Sequence, residues 1–227
     1  MEKCILVFGA GGHAKTVISL LKIQNWKIRG IIDDDPNTKD LTVSGVKVLG
    51  DSALLPKLKD EGVTAIVNTV GGIGNYSVRW RIFEKLISLG FEFPTLVHPS
   101  AFVEDTVTLA DGVQVLAQSY ISSETSVGFG TLINAGVVIS HDCKIGKCVN
   151  LSPGALLAGA VTMEDFSQIG MGATVNLELK VGKRARIGNN ATVKADVPAD
   201  GHVPAGTIWP LYKGKGIREN QNLRKLV

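Results

Sequence analysis

Large aromatic side chains are scarce in this chain, with seven Phe, three Tyr and three Trp among 227 residues, whereas glycine reaches 26. A thick core built on aromatic burial is therefore not expected, and a thin, turn-rich body is. Charge of one sign is lacking as well. Lys and Arg number 24 against 21 Asp and Glu, a formal net charge of +3. No basic run stands out, so the electrostatic footprint of a nucleic-acid binder is missing. The C-terminal basic residues Lys213, Lys215, Arg218, Arg224 and Lys225 read as a solvated end. The three cysteines, Cys4, Cys143 and Cys148, form no CxxC, which argues against a disulfide framework or a zinc knuckle and leaves buried thiols. No apolar run approaches the ~20 residues of a membrane span. The run from Cys4 to Phe8 is also too short for a signal peptide, and a cytoplasmic protein is expected.

What is present falls into two patterns. Up to residue 94, short β-branched runs alternate with amphipathic stretches. Cys4 to Phe8 reads as a strand, followed by a Gly-rich turn and by Ala14, Val17, Ile18 and Leu21 at helical spacing. Ile28 to Ile32 is the next strand, a short run surrounds Val46 to Val48, and Asp51 is placed to cap a helix carrying Leu54, Leu55 and Leu58. Thr64 to Val70 is a further strand, and Val78, Ile82, Leu86 and Leu89 mark a further helix. This alternation predicts a small parallel, Rossmann-like sheet.

From Val97 onward every sixth residue is aliphatic, through Val103, Leu109, Val115 and so on to Ile187 and Val193, seventeen positions without a miss. Four residues after each of these sits a small or β-branched residue in almost every hexad, Leu179 being the main exception. A period of six is the mark of a parallel β-helix, in which each hexad supplies one short face and one corner and stacks its aliphatic side chain inside. Three hexads close an 18-residue triangular coil, and five to six coils are expected. A β-sandwich would alternate with a period of two, which this segment does not. The predicted organisation is an α/β domain at 1–94, a β-helix at 95–198 and a tail at 199–227.

Gly9-Ala10-Gly11-Gly12-His13-Ala14 lies between a strand and a helix, where backbone N–H groups can cradle a pyrophosphate. Asp33 ends the second strand, where a ribose-binding acid would sit. Taken alone, this fits a nicotinamide-dependent oxidoreductase, but four or so strands make only one mononucleotide half, better matched to a single nucleotide diphosphate. His13 is either a protonatable donor to a phosphate or an ordinary surface residue. Gly71, just beyond the strand that ends near Asn68, is a candidate for close approach by a sugar.

Four histidines are present, and only His141 lies well inside the repeat, at an outward corner beside Asp142. Three histidines converging on zinc are not supplied, so no metal is expected. An imidazole oriented by a carboxylate suits general-base work near neutral pH. One coil further along the chain is Gly159, whose uncovered N–H is placed as an acyl-transfer oxyanion site requires. Met171 and Asn189, themselves one coil apart, are expected to line the same groove higher up.

Together GAGGHAK (Gly9 to Lys15), Ile32-Asp33-Asp34, the run from Asn75 to Arg79, the hexads and NAGVVISHD (Asn134 to Asp142) resemble the bacterial sugar O- and N-acyltransferases of the hexapeptide-repeat superfamily. These include sialic acid O-acetyltransferases and the N-acetyltransferases of 4-amino-sugar nucleotides of the bacillosamine and perosamine type. The resemblance covers nearly the whole chain. It implies a left-handed β-helix, an acetyl-CoA-dependent homotrimer and active sites in the clefts between neighbouring β-helices. Carried over residue by residue, it makes His141 the general base and Asp142 its partner. Asn134 becomes a sugar contact and Gly159 the donor to the thioester oxygen, with Asn150, Met171 and Asn189 on acetyl-CoA. Gly11, Gly12 and His13 would hold the diphosphate of a nucleotide sugar, with Asp33 and Asp34 near base and ribose. Asn150 replaces a second histidine of some relatives, and the ending Val203 to Pro210 departs from the usual G-x-P-A-K closure. The expected activity is N-acetylation of a 4-amino group for cell-surface glycan biosynthesis. O-acetylation of sialic acid, a nicotinamide-dependent oxidoreductase and a silent binding protein are the alternatives.

Overall fold

The computed structural model describes residues 4–71, 74 and 76–210; the basic C-terminal residues from Lys213 and the motif residue Asn75 lie outside the described residues. The chain begins with β1 (Cys4–Phe8), α1 (Gly12–Ile23), β2 (Lys27–Ile32), β3 (Thr42–Val43), β4 (Val46–Gly50), α2 (Leu55–Asp60), β5 (Ala65–Asn68) and α3 (Tyr76–Ser88). The sheet order is β3-β4-β2-β1-β5. β4, β2, β1 and β5 run parallel, as expected, but β3 pairs antiparallel with β4, so the sheet is mixed. The cause is local. Ser44 and Gly45 both take left-handed φ values of 49° and 81°, the conformation of a two-residue hairpin turn that folds β3 back on β4.

Beyond Pro94 the chain forms two-residue strands stacked in three parallel sheets of seven, five and seven. Registers such as Tyr120↔Val138 and Lys144↔Thr162 give the expected 18-residue coil. The second residue of each strand points inward: Val115, Ile121, Ile133, Ile139, Leu151, Leu157 and their successors are buried in one continuous column, with Ala155, Ala173, Ala185 and Ala191 beside them. Each buried aliphatic contributes about 1.5–3 kcal/mol, so inward positions hold the prism and outward corners are free to carry function. Corners turn through a residue in the left-handed region at the same hexad position, among them Gly130, Gly136, Asp142, Gly154 and Ala160.

The coil runs past residue 198. His202–Val203 pairs with Arg186–Ile187, and Ile208–Trp209 with Thr192–Val193, after a single bridge from Val181 to Val197. The last coil is thus two residues short, which breaks the arithmetic of six and hides it from a periodicity reading. The first residues of the expected tail therefore continue the β-helix.

The three outward faces differ in character. The first residues of one seven-stranded face, Leu96, Gln114, Leu132, Asn150 and Gln168, are buried. Its lower part lies beneath α1, with Leu96, Leu116 and Leu132 packed against Val17, Leu20 and Leu21; this is the docked face. The five-stranded face presents Thr108, Ser126, Lys144, Thr162 and Lys180 and is polar. The remaining seven-stranded face presents Phe102, Tyr120, Val138, Leu156, Thr174, Thr192 and Ile208. Phe102, Leu156 and Ile208 there are 63%, 43% and 52% exposed, which makes it an open apolar face.

Aromatics are largely kept out of the narrow prism and gather at its seam with the α/β body. Phe83 meets Phe93 and Phe129 at 5.3 and 4.9 Å between ring centroids, and Trp80 meets Phe166 at 5.6 Å. The buried stripe of α3 is Arg79, Phe83 and Leu86; Val78, Ile82 and Leu89, expected to be core, are only half-buried. The helix is rotated because Arg79, which reads as a surface residue, finds backbone carbonyls inside.

Candidate active site

His141 and Asp142 stand on the corner between the open apolar face and the polar face. Asp142 has φ 60° and is the left-handed residue of its corner, a turn that carries its carboxylate back to its neighbour: Asp142 Oδ2 lies 2.7 Å from His141 Nδ1. Nε2 is thereby left as the outward atom of the ring. Stacking places Gly159 directly on the imidazole. A Cβ on Gly159 would lie 2.7 Å from His141 Cε1 and 2.9 Å from Nε2. The Gly159 N–H makes no hydrogen bond among the described residues. A base with its far nitrogen anchored and an open N–H one coil away is the minimal equipment for acyl transfer. Gly159→Val should therefore displace the ring without disturbing the inward column, lowering turnover about 10²-fold at an unchanged thermal midpoint; wild-type turnover in that variant would remove Gly159 from the site.

Asn150, Met171 and Asn189 do come together, in a recess of about 240 Å³ that also involves Gln168, Arg186 and His202. Met171 N–H donates to Asn189 Oδ1 at 2.9 Å, and Asn150 Oδ1 is buried with no partner among the described residues. An unpaired buried oxygen facing a recess marks a place where a ligand donor fits. The expectation that these residues line the same groove as His141 is not met within one chain. They lie on and beside the corner between docked and open faces, with the whole open apolar face between them and His141. The reason is arithmetic: His141 to Met171 is thirty residues, five hexads, which is not a whole number of coils. Asn134 is on that same far corner, its Nδ2 donating to Leu151 O at 2.8 Å.

The glycine loop opens α1 at the C-terminal edge of the sheet. Gly9, at φ 105°, is required by the backbone and by contact, since a Cβ would lie 3.0 Å from Thr69 Oγ1. Gly11, Gly12 and Gly71 have open space where a Cβ would be, so nothing inside the chain demands glycine there and a ligand can approach. Asp33 braces the loop, Oδ2 accepting from Ala10 N–H at 2.6 Å and Oδ1 from Asp35 N–H. Asp34 accepts from Ser52 N–H and is otherwise exposed.

His13 does not stand out as a cationic phosphate donor. Its Nε2 is 2.8 Å from Gln114 Oε1, and the Gln114 amide nitrogen donates to Asn68 O at 2.8 Å, so His13 carries its proton on Nε2. Burial first, with Arg79 adding to it, holds its pKa below the ordinary 6.5. Folded His13 therefore stays neutral where the unfolded chain begins to protonate, and stability is complete above 6.5 and lost as pH falls through the window below it. The thermal midpoint should drop on acidification below pH 6.5 and drop less in His13→Gln; an equal drop in both would assign the loss to other groups.

Arg79 and Gln114 complete this contact and are the residues a sequence reading passes over. The buried Arg79 guanidinium donates to Asn68 O, Val70 O and Gly130 O at 3.1, 2.7 and 3.1 Å, tying the end of β5 to a β-helix corner. Desolvation pushes its pKa down to about 10, which still leaves it charged at neutral pH. The one available signal was an amide or guanidinium at positions whose periodicity calls for core. Cys143 and Cys148 are buried thiols as expected, and burial pushes Cys148 up to about 11.

Residues 4–86 match the PglD N-terminal domain family. The chain is 31% identical to GDP-perosamine N-acetyltransferase of Escherichia coli O157:H7 over 74% of its length and 76% of the relative's. It is similar to the crystal structure of PerB from Caulobacter crescentus in complex with CoA and GDP-perosamine, with a TM-score of 0.84 and 31% identity over 90% of this chain and 95% of that one. The acetyltransferase domain of PglB from Neisseria gonorrhoeae FA1090, in complex with acetyl coenzyme A, superimposes with a TM-score of 0.77 and 30% identity, covering 92% and 96% of the two chains. The triangular coil is the left-handed parallel β-helix of these neighbours.

Proposed function

We propose, because the chain belongs to the hexapeptide-repeat acyltransferase family that includes GDP-perosamine N-acetyltransferase, that it transfers an acetyl group from acetyl-CoA to the amino group of a nucleotide-linked amino sugar. The observation that carries this reading is the His141 corner: an imidazole anchored through Nδ1, with Nε2 outward and Gly159 N–H open beside it. Acetyl-CoA supplies an activated acyl group as a thioester. His141 Nε2 takes the proton of the attacking amine, Asp142 holds the ring and steadies its charge, and Gly159 N–H is placed for the developing oxyanion. Gly11 and Gly12 N–H groups at the start of α1 suit the diphosphate, with Asp34 and Gly71 at the rim for ribose and sugar. His13 shapes the loop through Gln114. Asn134 contributes to the sugar side, and Asn150, Met171 and Asn189 to the acetyl-CoA side.

These groups occupy opposite edges of the open apolar face. The reading therefore includes a homotrimer in which that face is covered by a second copy, so that the His141 corner of one chain meets the Asn134 corner of the next. It also includes a 4-amino group as acceptor, a role in glycan biosynthesis and a cytoplasmic location; no helix among the described residues is long and apolar enough to cross a membrane. The test is thiol release from acetyl-CoA against GDP-, UDP- and dTDP-linked 4-amino sugars and free sialic acid, with NAD titrated calorimetrically in parallel. Turnover with at least one nucleotide amino sugar and no NAD heat is expected. Turnover with sialic acid alone would move the activity to O-acetylation.

A further inference from the structure

The His141 corner continues upward into a recess that the catalytic residues do not occupy. Residue 177 stacks one coil above Gly159, as Glu178 N–H donating to Gly159 O at 2.9 Å shows. Around it, Ala158, Asn176, Leu177, Leu179 and Lys194 enclose about 440–470 Å³ on the side facing the open apolar face. Two features there lack a role within the chain. Leu177 is 63% exposed on a corner, where an apolar side chain of that size is not needed to turn the coil. Lys194 lies one coil above Asn176, and its ammonium forms no ion pair or hydrogen bond among the described residues. The charged residues of the neighbouring polar face are instead paired, Lys180 with Glu164 at 2.5 Å and Arg184 with Asp200 at 2.6 Å.

We propose that this recess receives the arm of acyl-CoA above the thioester, with Leu177 against the pantetheine chain and Lys194 on a phosphate. The proposal rests on the acetyltransferase reading and extends it to residues on the same corner as the base. An acyl chain whose carbonyl lies at Gly159 must leave along the prism, because His141 blocks the corner on one side. The rise per coil is one strand spacing, ~4.8 Å, so successive corners at Gly159, Leu177 and beyond track an extended arm. A cation at its far end then meets phosphate, with Leu177 N–H, which donates to nothing among the described residues, open along the way.

The experiment compares wild type with Lys194→Gln in two measurements: calorimetric Kd for CoA, and kcat/KM for acetyl-CoA against acetyl-pantetheine, which lacks the phosphates. Lys194→Gln should weaken CoA about tenfold, as loss of one charge-assisted contact does. Its kcat/KM for acetyl-pantetheine should equal that of wild type. Unchanged CoA affinity, or an equal loss with both thioesters, overturns the assignment. Failure of wild type to bind CoA or to use either thioester would instead overturn the acetyltransferase reading beneath it.

Discussion

His141→Ala is expected to lower turnover by about 10²–10⁴-fold, the range for loss of a general base, with substrate affinities and folding retained. Each part of that pattern has a separate structural source. The nucleotide-sugar loop is built from β1, α1 and the end of β5, none of which touches His141. The recess with Asn150, Met171 and Asn189 is on another corner. The ring itself is 62% exposed in the chain and its corner backbone is held by Asp142 N–H to Ser123 O and Ala160 N–H to His141 O, both independent of the imidazole. Stopped turnover assays, calorimetry with CoA and with the nucleotide sugar, and a thermal scan measure the three parts. Full kcat would make the His–Asp corner a solvated ornament, and a lowered thermal midpoint would make it structural.

Leu156→Glu is expected to abolish transfer although Leu156 touches none of the reacting groups. Leu156 is 43% exposed at the middle of the open apolar face, so a charge there costs the single chain little, yet it cannot be buried against a second copy without a partner. Light scattering should report 24.1 kDa, the mass of one chain, in place of three times that value. Activity should fall to background because the two half-sites part, while the glycine loop still binds nucleotide sugar. A mixing experiment sharpens the point. His141→Ala and Met171→Glu damage opposite edges of the face, so hybrids assembled from both inactive variants should contain some intact sites and regain part of the activity. A monomeric Leu156→Glu that remains fully active, or hybrids with no recovery, would place the whole site within one chain.

The β-helix was legible residue by residue because its inward column depends only on a local period: an aliphatic residue every sixth position must point inward once two hexads have stacked. The His141–Gly159 stack was legible for the same reason, being one coil apart. The glycine loop was legible from its glycines, whose open N–H groups are a property of a helix start. Where the period slipped by two residues, at Val197 and Val203, the reading stopped short, since nothing in composition distinguishes a shortened coil from a tail.

What the chain alone determined, then, is everything that follows from short-range spacing: the column, the corners, the base and its oxyanion partner, and the loop. Only the tertiary structure decided which corners adjoin, that Met171 and Asn189 lie a face away from His141, and that His13 is a neutral ring tied through Gln114 to Asn68. It also decided that Arg79 is a buried clamp. These depend on how α3 and the glycine loop settle on one particular face of the prism, a contact between segments as far apart as His13 and Gln114. A guanidinium or an amide is equally at home in water and against carbonyls, and the difference is set by which carbonyls the fold brings within 3 Å.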